Sequence, residues 1–321
     1  MNEPEVNAYI RLFRRFRYSV KVFFDRVPPH RYATVYPDDA FLVSYPKSGN
    51  TWMRFLVGNL VYPDQPVTLA DIERRLGDVD LMPDSKLRCI GRPRYLKSHQ
   101  IFHPEYDRVV YIVRDPRDVA VSYYFHLLKA KKLVPGLPMD SFVPDFIAER
   151  LYLNFGPWAE HVVSWLAMGP SRRRFLFLRY EDLLENTLCE LHKVAAFLDI
   201  EADDARLERA VQLSTVDRMR QLEKDQWKQW NVTKHGRTDI PFIRAAKSGQ
   251  WAEALCAESV AAIEGAWGPV MRLLGYKLVN DPETLSASSE AWRRWEALVN
   301  TLWPRGLEKE KLTVGCEMEF R

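Results

Sequence analysis

Cysteine is scarce in this chain, and its few copies are widely spaced. Four cysteines occur among 321 residues, at positions 89, 189, 256 and 316. They are too few for a disulfide framework, and no two of them have the short spacing of a metal-binding pair. The sequence therefore predicts a reducing, cytoplasmic location and no cysteine-bound metal.

Long apolar runs are also missing. No stretch approaches the roughly 20 apolar residues that cross a bilayer as a helix, and the first residues lack the apolar core of a signal peptide. We therefore expect no transmembrane segment. Residues 5–26 mix arginines with apolar residues at helical spacing. They predict an N-terminal amphipathic helical segment over residues 1–30, which packs on the domain or contacts a membrane surface.

The excess of positive charge is small. Lysine and arginine total 46 against 43 aspartates and glutamates, which gives a net charge of +3. A protein dedicated to nucleic acid usually has a strong basic bias, so we expect no nucleic-acid partner. A local basic pocket for a small polyanion remains compatible with this charge.

Short apolar strands alternate with amphipathic helices through the middle of the chain. This alternation predicts an α/β fold with a central parallel sheet that is flanked by helices on both faces. Long loops are expected at 129–145 and 223–250, and a helix near 290–303 within a C-terminal helical tail, 281–321. The predicted strands are 41–45, 94–98, 108–113 and 175–178, and the predicted helices 50–61, 117–130, 158–168, 185–198 and 203–213.

The most informative motif follows the first predicted strand. It reads Tyr45-Pro46-Lys47-Ser48-Gly49-Asn50-Thr51-Trp52 and leads directly into a helix. Backbone N–H groups at such a helix start bind anions, Lys47 adds a positive charge, and Gly49 lets the backbone approach a ligand. The usual triphosphate loop places its Lys after the glycines, whereas Lys47 precedes Gly49. An ordinary surface turn is the alternative interpretation.

A second motif lies at the end of the strand at 108–113. Arg114 follows this strand, and Ser122 lies about two turns into the next helix. An arginine fork and a hydroxyl donor suit a phosphate group. The alternative is a structural arginine that is paired with Asp115 and Asp118.

A third motif reads Lys97-Ser98-His99. Because alternate side chains of an extended chain point the same way, Lys97 and His99 should share a face. A lone histidine is more often structural than catalytic, so the motif gains its meaning from the two motifs around it.

Together the three motifs resemble those of the cytosolic-type sulfotransferases, which use 3′-phosphoadenosine 5′-phosphosulfate (PAPS). The resemblance covers about residues 35–275 and implies a P-loop-NTPase-like topology, with a sulfotransferase domain at 31–280. It implies PAPS as co-substrate and no metal site. The resemblance implies the following roles: phosphosulfate binding by Lys47, Ser48, Gly49, Asn50 and Thr51, adenine stacking by Trp52, 3′-phosphate binding by Arg114 and Ser122, sulfonate binding by Lys97 and general-base catalysis by His99. Lys47 and Lys97 are also expected to be catalytic, with Lys47 meeting the charge that grows on the leaving oxygen.

Weaker matches continue the resemblance towards the nucleotide. They imply cofactor contacts by Tyr180, Ser214, Val216, Arg244, Ala245 and Ala246. Val216 replaces an aromatic residue of the family, and Ala245 and Ala246 replace a Lys and a Gly. Weaker PAPS binding or a different lid is therefore expected. The family's dimer motif is not matched, so the oligomeric state stays open.

The predicted function is sulfuryl transfer from PAPS to a hydroxyl or amine of a small-molecule acceptor. The acceptor itself is not predicted, although residues 72–92, 129–155 and 223–243 should wall its site. Two rival functions are a nucleotide kinase with a variant loop and a non-catalytic protein that binds PAPS or its product PAP.

Overall fold

The computed structural model describes residues 33–150, 155–168, 174–244, 246–304 and 306. The N-terminal helical segment predicted over residues 1–30 lies outside these residues, as do Ala245 and the end of the C-terminal tail.

The described residues contain one four-stranded sheet in which every neighbouring pair is parallel. Its order is β2-β1-β3-β4, so β1 and β3 are central. All carboxyl ends of the strands therefore meet at one edge, where α/β proteins bind their ligands. The strands are β1 Ala40–Ser44, β2 Tyr95–Ser98, β3 Arg108–Val113 and β4 Arg174–Arg179.

Helices connect and follow the strands. None of those described is both long and apolar enough to cross a membrane. Their bounds are α1 Asn50–Val61, α2 Ile72–Arg75, α3 Asp84–Leu87, α4 Pro116–Lys129, α5 Met139–Ile147, α6 Trp158–Met168, α7 Tyr180–Glu185, α8 Thr187–Phe197, α9 Asp204–Leu213, α10 Val216–Gln226, α11 Trp251–Ala254, α12 Ala257–Leu273, α13 Pro282–Ser288 and α14 Glu290–Leu302.

The sheet is covered on both faces, because alternate residues of its strands enter two different cores. Phe41 and Val43 of β1 pack with residues of α4, α5, α6, α12 and α14. Ala40 and Leu42 pack on the other face with residues of α1, α8, α9 and α10. The prediction of a parallel α/β sheet between two layers of helices is confirmed.

Two predicted loops are wrong in part. The stretch 129–145 contains most of α5, which begins after Pro138 and includes Pro144. Its apolar residues Phe142, Val143 and Phe146 recur at helical spacing and are buried, so packing stabilises a helix that proline would disfavour. The stretch 223–250 begins inside α10, which ends at Gln226.

The helix predicted near 290–303 is confirmed as α14. Ser289 caps it by accepting a hydrogen bond from the Trp292 N–H at 3.1 Å. Its apolar face, with Trp292, Trp295 and Val299, is buried. Trp292 lies against Gly268 of α12, where an added Cβ would come 2.0 Å from the indole ring.

We expect the Gly268→Ala variant to be less stable than wild type by about 1–3 kcal/mol, because the new methyl group overpacks against Trp292. Gly265→Ala in the same helix is the matched control, since its Cβ would meet its nearest neighbour at 3.8 Å. The control should be neutral or more stable, as alanine favours helix over glycine. Urea unfolding of both variants measures the difference, and equal stabilities would contradict this packing.

Candidate active site

The loop between β1 and α1 has the backbone of an anion cradle. Lys47 and Gly49 both have positive φ, at 71° and 98°. Gly49 is the N-cap of α1, and no side chain caps the helix. Its first N–H groups are therefore left to a ligand or water. The Ser48 Oγ is buried and has no hydrogen-bond partner in the described part of the chain.

Asn50 makes side-chain contacts that the sequence motif did not indicate. Its Nδ2 donates to the Leu42 carbonyl at 2.8 Å and lies 3.2 Å from the Ser44 Oγ. The side chain thus anchors α1 to β1 through its Nδ2, whereas its Oδ1 is buried without a hydrogen-bond partner among the described residues. Thr51 is half-buried at the helix start.

Arg114 joins three parts of the site at the end of β3. Its guanidinium donates to the Lys47 carbonyl at 3.3 Å and to the Lys247 carbonyl at 3.0 Å. It also lies 3.7 Å from Asp118. The Arg114 Nε has no hydrogen-bond partner among the residues that are described. Ser122 lies two turns along α4, as predicted, and is half-buried.

Asp118 holds the segment that follows Arg244. Its carboxylate accepts hydrogen bonds from the Gly249 N–H at 2.8 Å and the Trp251 N–H at 3.1 Å. The guanidinium of Arg244 stacks 4.0 Å from the centre of the Phe125 ring. Burial, and then repulsion by Arg114, lowers the pKa of Arg244. The two guanidiniums are therefore close enough to interact.

Lys47 completes this group of cations. Its Nζ lies 3.9 Å from the centre of the Phe242 ring. Burial lowers the pKa of Lys47 to about 7, and repulsion by Arg114 and Arg244 adds to this effect. Positive charge thus converges on the uncapped start of α1, which itself attracts anions.

A buried ion pair fixes Phe242 over Lys47. Glu223 accepts hydrogen bonds from the main-chain N–H groups of Phe242 at 2.7 Å and Ile243 at 2.9 Å. The Lys129 Nζ lies 3.0 Å from Glu223 and donates to the Ile240 carbonyl at 2.8 Å. Sequence reasoning missed this pair, since nothing local indicates that α4 and α10 meet here.

His99 is held in one orientation at the end of β2. Its Nδ1 lies 2.7 Å from the Ser44 carbonyl. A carbonyl only accepts hydrogen bonds, so this Nδ1 carries the proton and Nε2 keeps its lone pair. Burial, and then the charge of Lys97, holds the pKa of His99 well below its usual range. The ring is therefore neutral at physiological pH.

Lys97 is paired with two aspartates that the motifs did not indicate. Its Nζ lies 2.7 Å from Asp80 and 3.2 Å from Asp78. Asp80 also accepts a hydrogen bond from the His99 N–H at 2.9 Å. Lys97 and His99 therefore both bond to the Asp80 carboxylate. Neither aspartate belongs to the three motifs found in the sequence.

Three of the residues predicted to contact adenine lie next to one another, beside Gly49 of the Lys47 loop. The Trp52 indole donates to the Ser214 carbonyl at 3.0 Å and packs edge-on to Tyr180. Tyr180 also lies against Gly49, whose added Cβ would come 2.5 Å from its ring. Val216 begins α10 nearby and is half-buried, whereas Ala246 is exposed with φ at 47°.

Comparisons with known proteins agree with this architecture. A family model described as Sulfotransferase domain matches residues 37–275. Sulfotransferase 1 family member D1 of Mus musculus is 28% identical over 231 residues, which cover 67% of this chain and 77% of that protein. Human sulfotransferase 1E1 is 27% identical over 238 residues, with shares of 67% and 77%.

A solved structure shares the fold. The mouse sulfotransferase SULT7A1, complexed with PAP, superposes with a TM-score of 0.61 at 23% identity, covering 84% of this chain and 91% of that one. The family model spans most of the chain, so the family predicted from the motifs is confirmed. This chain belongs to the sulfotransferase family, by its sulfotransferase domain at residues 37–275.

Proposed function

We propose that this protein transfers a sulfuryl group from PAPS to a hydroxyl or amine of a small-molecule acceptor. The observation that carries the proposal is the convergence of Lys47, Arg114 and Arg244 beside the uncapped start of α1. The proposal assigns one anionic group to the Lys47 loop and a second to Arg114 and Arg244. The orphaned Ser48 Oγ and Arg114 Nε supply further donors for such a ligand.

PAPS supplies the sulfuryl group, whose sulfur bonds to the acceptor atom as its bond to the 5′-phosphate oxygen breaks. Protonated Lys47 would stabilise negative charge that develops on that oxygen, and Lys97 would face the sulfonate oxygens. Arg114, Ser122 and Arg244 would hold the 3′-phosphate. Trp52, Tyr180, Ser214 and Val216 would contact the adenine end, with the main chain at Ala245 and Ala246 beside the 3′-phosphate.

His99 is proposed as the general base. Because its Nδ1 hydrogen bonds to the Ser44 carbonyl, the neutral Nε2 is free to take a proton from the acceptor. The low pKa keeps the ring unprotonated before the reaction. The Phe155 ring packs edge-to-face with this imidazole, with centroids 5.8 Å apart, so an aromatic side chain borders the base.

The small-molecule class of the acceptor and the cytoplasmic location stay predictions. The kinase alternative is tested by thermal shift with PAP and with Mg-ATP. We expect PAP to raise the melting temperature far more than Mg-ATP at equal concentration. A larger shift with Mg-ATP would favour the kinase.

Replacing His99 by alanine should lower kcat by about 10²–10⁴-fold, the size of effect that a positioned general base supplies. The affinity for PAP should change little, since His99 lies outside the cation group. His103→Ala is the matched control and should retain activity. Steady-state kinetics with calorimetric PAP binding measures both effects, and an unchanged kcat would remove His99 from this role.

Replacing Arg114 by alanine should weaken PAP binding by about 10–100-fold, which corresponds to the loss of one or two charge-assisted hydrogen bonds. The affinity for AMP, which lacks the 3′-phosphate, should change little. Arg179→Ala is the control, because Arg179 ends the neighbouring strand β4 but pairs with Asp182. Equal losses for PAP and AMP would place Arg114 away from the 3′-phosphate.

The pKa of Lys47, lowered to about 7, predicts that PAP affinity depends on pH. Above this pKa, Lys47 is neutral in the free protein and must take up a proton to attract an anion. Affinity should therefore fall between pH 7.5 and 9, by up to about tenfold per pH unit. Lys47→Arg stays charged and should flatten the profile. Calorimetry across this range measures it, and parallel profiles would exclude Lys47 as the titrating group.

A further inference from the structure

Residues 77–80 lie alongside β2 and pair with Lys97. The Lys97 N–H donates to the Gly77 carbonyl at 2.7 Å, and the Val79 N–H donates to the Lys97 carbonyl at 3.0 Å. Asp78 and Lys97 form a parallel bridge. Because alternate residues of an extended chain face opposite ways, Asp78 and Asp80 share one side, and Val79 is buried in the core on the other.

One oxygen of Asp80 serves two partners. Its Oδ2 lies 2.7 Å from the Lys97 Nζ and accepts a hydrogen bond from the His99 N–H at 2.9 Å. Asp78 contacts the same ammonium at 3.2 Å, with its Oδ1, and that oxygen also accepts the Asp80 N–H at 3.0 Å. Of the two carboxylates, Asp80 therefore bonds both proposed functional residues, whereas Asp78 bonds Lys97.

The cluster is buried, so its geometry is strongly constrained. The side chains of Lys97, Asp78 and Asp80 are 10%, 3% and 5% exposed. Moving the ammonium away from both carboxylates would leave buried charge unpaired, which is costly. Burial also raises the pKa of Asp80 to about 6, although Lys97 opposes this rise. The position of Lys97 therefore follows that of Asp80.

We propose that Asp80 is a positioning residue for sulfuryl transfer, whose Oδ2 fixes the Lys97 ammonium and the His99 main chain relative to each other. The inference rests on the proposed roles of His99 and Lys97. The imidazole then has two anchors, Asp80 at its main chain and the Ser44 carbonyl at its ring. A shift of either anchor would move Nε2 relative to the acceptor.

Asp80→Asn tests this role, and Asp78→Asn is the matched control that removes the same charge from the same cluster. We expect Asp80→Asn to lower kcat by about 10–100-fold, the range that misplacing a reacting group by about 1 Å produces. Asp78→Asn leaves the bond from the His99 N–H to Asp80 in place and should lower kcat by a clearly smaller factor. PAP affinity should be unchanged in both variants, which also shows that they fold. Equal kcat losses in the two variants, or none in either, would overturn the proposal.

A double-mutant cycle of Asp80→Asn and Lys97→Met tests whether Asp80 acts through Lys97 or independently of it. If Asp80 acts partly through Lys97, the loss in the combined variant will be smaller than the product of the single losses. A fully multiplicative loss would overturn that part of the proposal. Turnover by the wild-type enzyme tests the proposed function separately.

A readout without turnover is the imidazole signal of His99 in histidine-labelled protein with PAP bound, assigned with His99→Gln. Asp80→Asn should shift this signal and its pH titration, and Asp78→Asn should shift them less. Indistinguishable signals in the wild type and Asp80→Asn would overturn the proposal even if no acceptor has been found.

Discussion

The site depends on concentrating positive charge at the edge of the sheet where the strands end. Lys47, Arg114 and Arg244 lie near one another and near the positive end of α1, an arrangement that is unfavourable without an anion. Two carboxylates, Asp118 and Glu223, hold the segments around this cation group in place. Asp118 ties the Gly249–Trp251 turn to α4, and Glu223 ties Phe242 to α10. Each combines main-chain hydrogen bonds with a nearby cation, Arg114 for Asp118 and Lys129 for Glu223, and so fixes a segment beside the pocket.

Asp80 combines a main-chain hydrogen bond and an ion pair in the same way, at the end of β2. It accepts from the main chain of His99 and pairs with Lys97, as Glu223 does with Phe242 and Lys129. Arg114 and Lys97 therefore both contact carboxylates that hold the structure together and belong to the proposed ligand site. In this account Lys47 stays poorly neutralised and sensitive to pH, whereas Lys97 is held by two carboxylates.

The sequence predicted those parts of the fold and site that depend on residues close together in the chain. The Lys47 loop, the placement of Arg114 after β3 and the helix at α14 follow from local patterns and were confirmed as structure. The pairings of Asp80 and Glu223 were not predicted, because their partners are distant in sequence and belong to no recognisable motif. The hydrogen bonds of the Asn50 side chain to β1 were not predicted for a related reason: burial against β1 is decided by packing. Helix α5 was missed because two prolines outweighed its buried apolar spacing.

The central claim is that this cation group binds PAPS for transfer of its sulfuryl group. The most direct measurement supplies PAPS with a radiolabelled sulfuryl group, together with a panel of phenols, alcohols and amines, and quantifies labelled product and PAP. The account predicts a labelled organic sulfate or sulfamate with one PAP released per product. PAP binding without labelled product from any acceptor class, or labelled product from ATP phosphate instead, would contradict it.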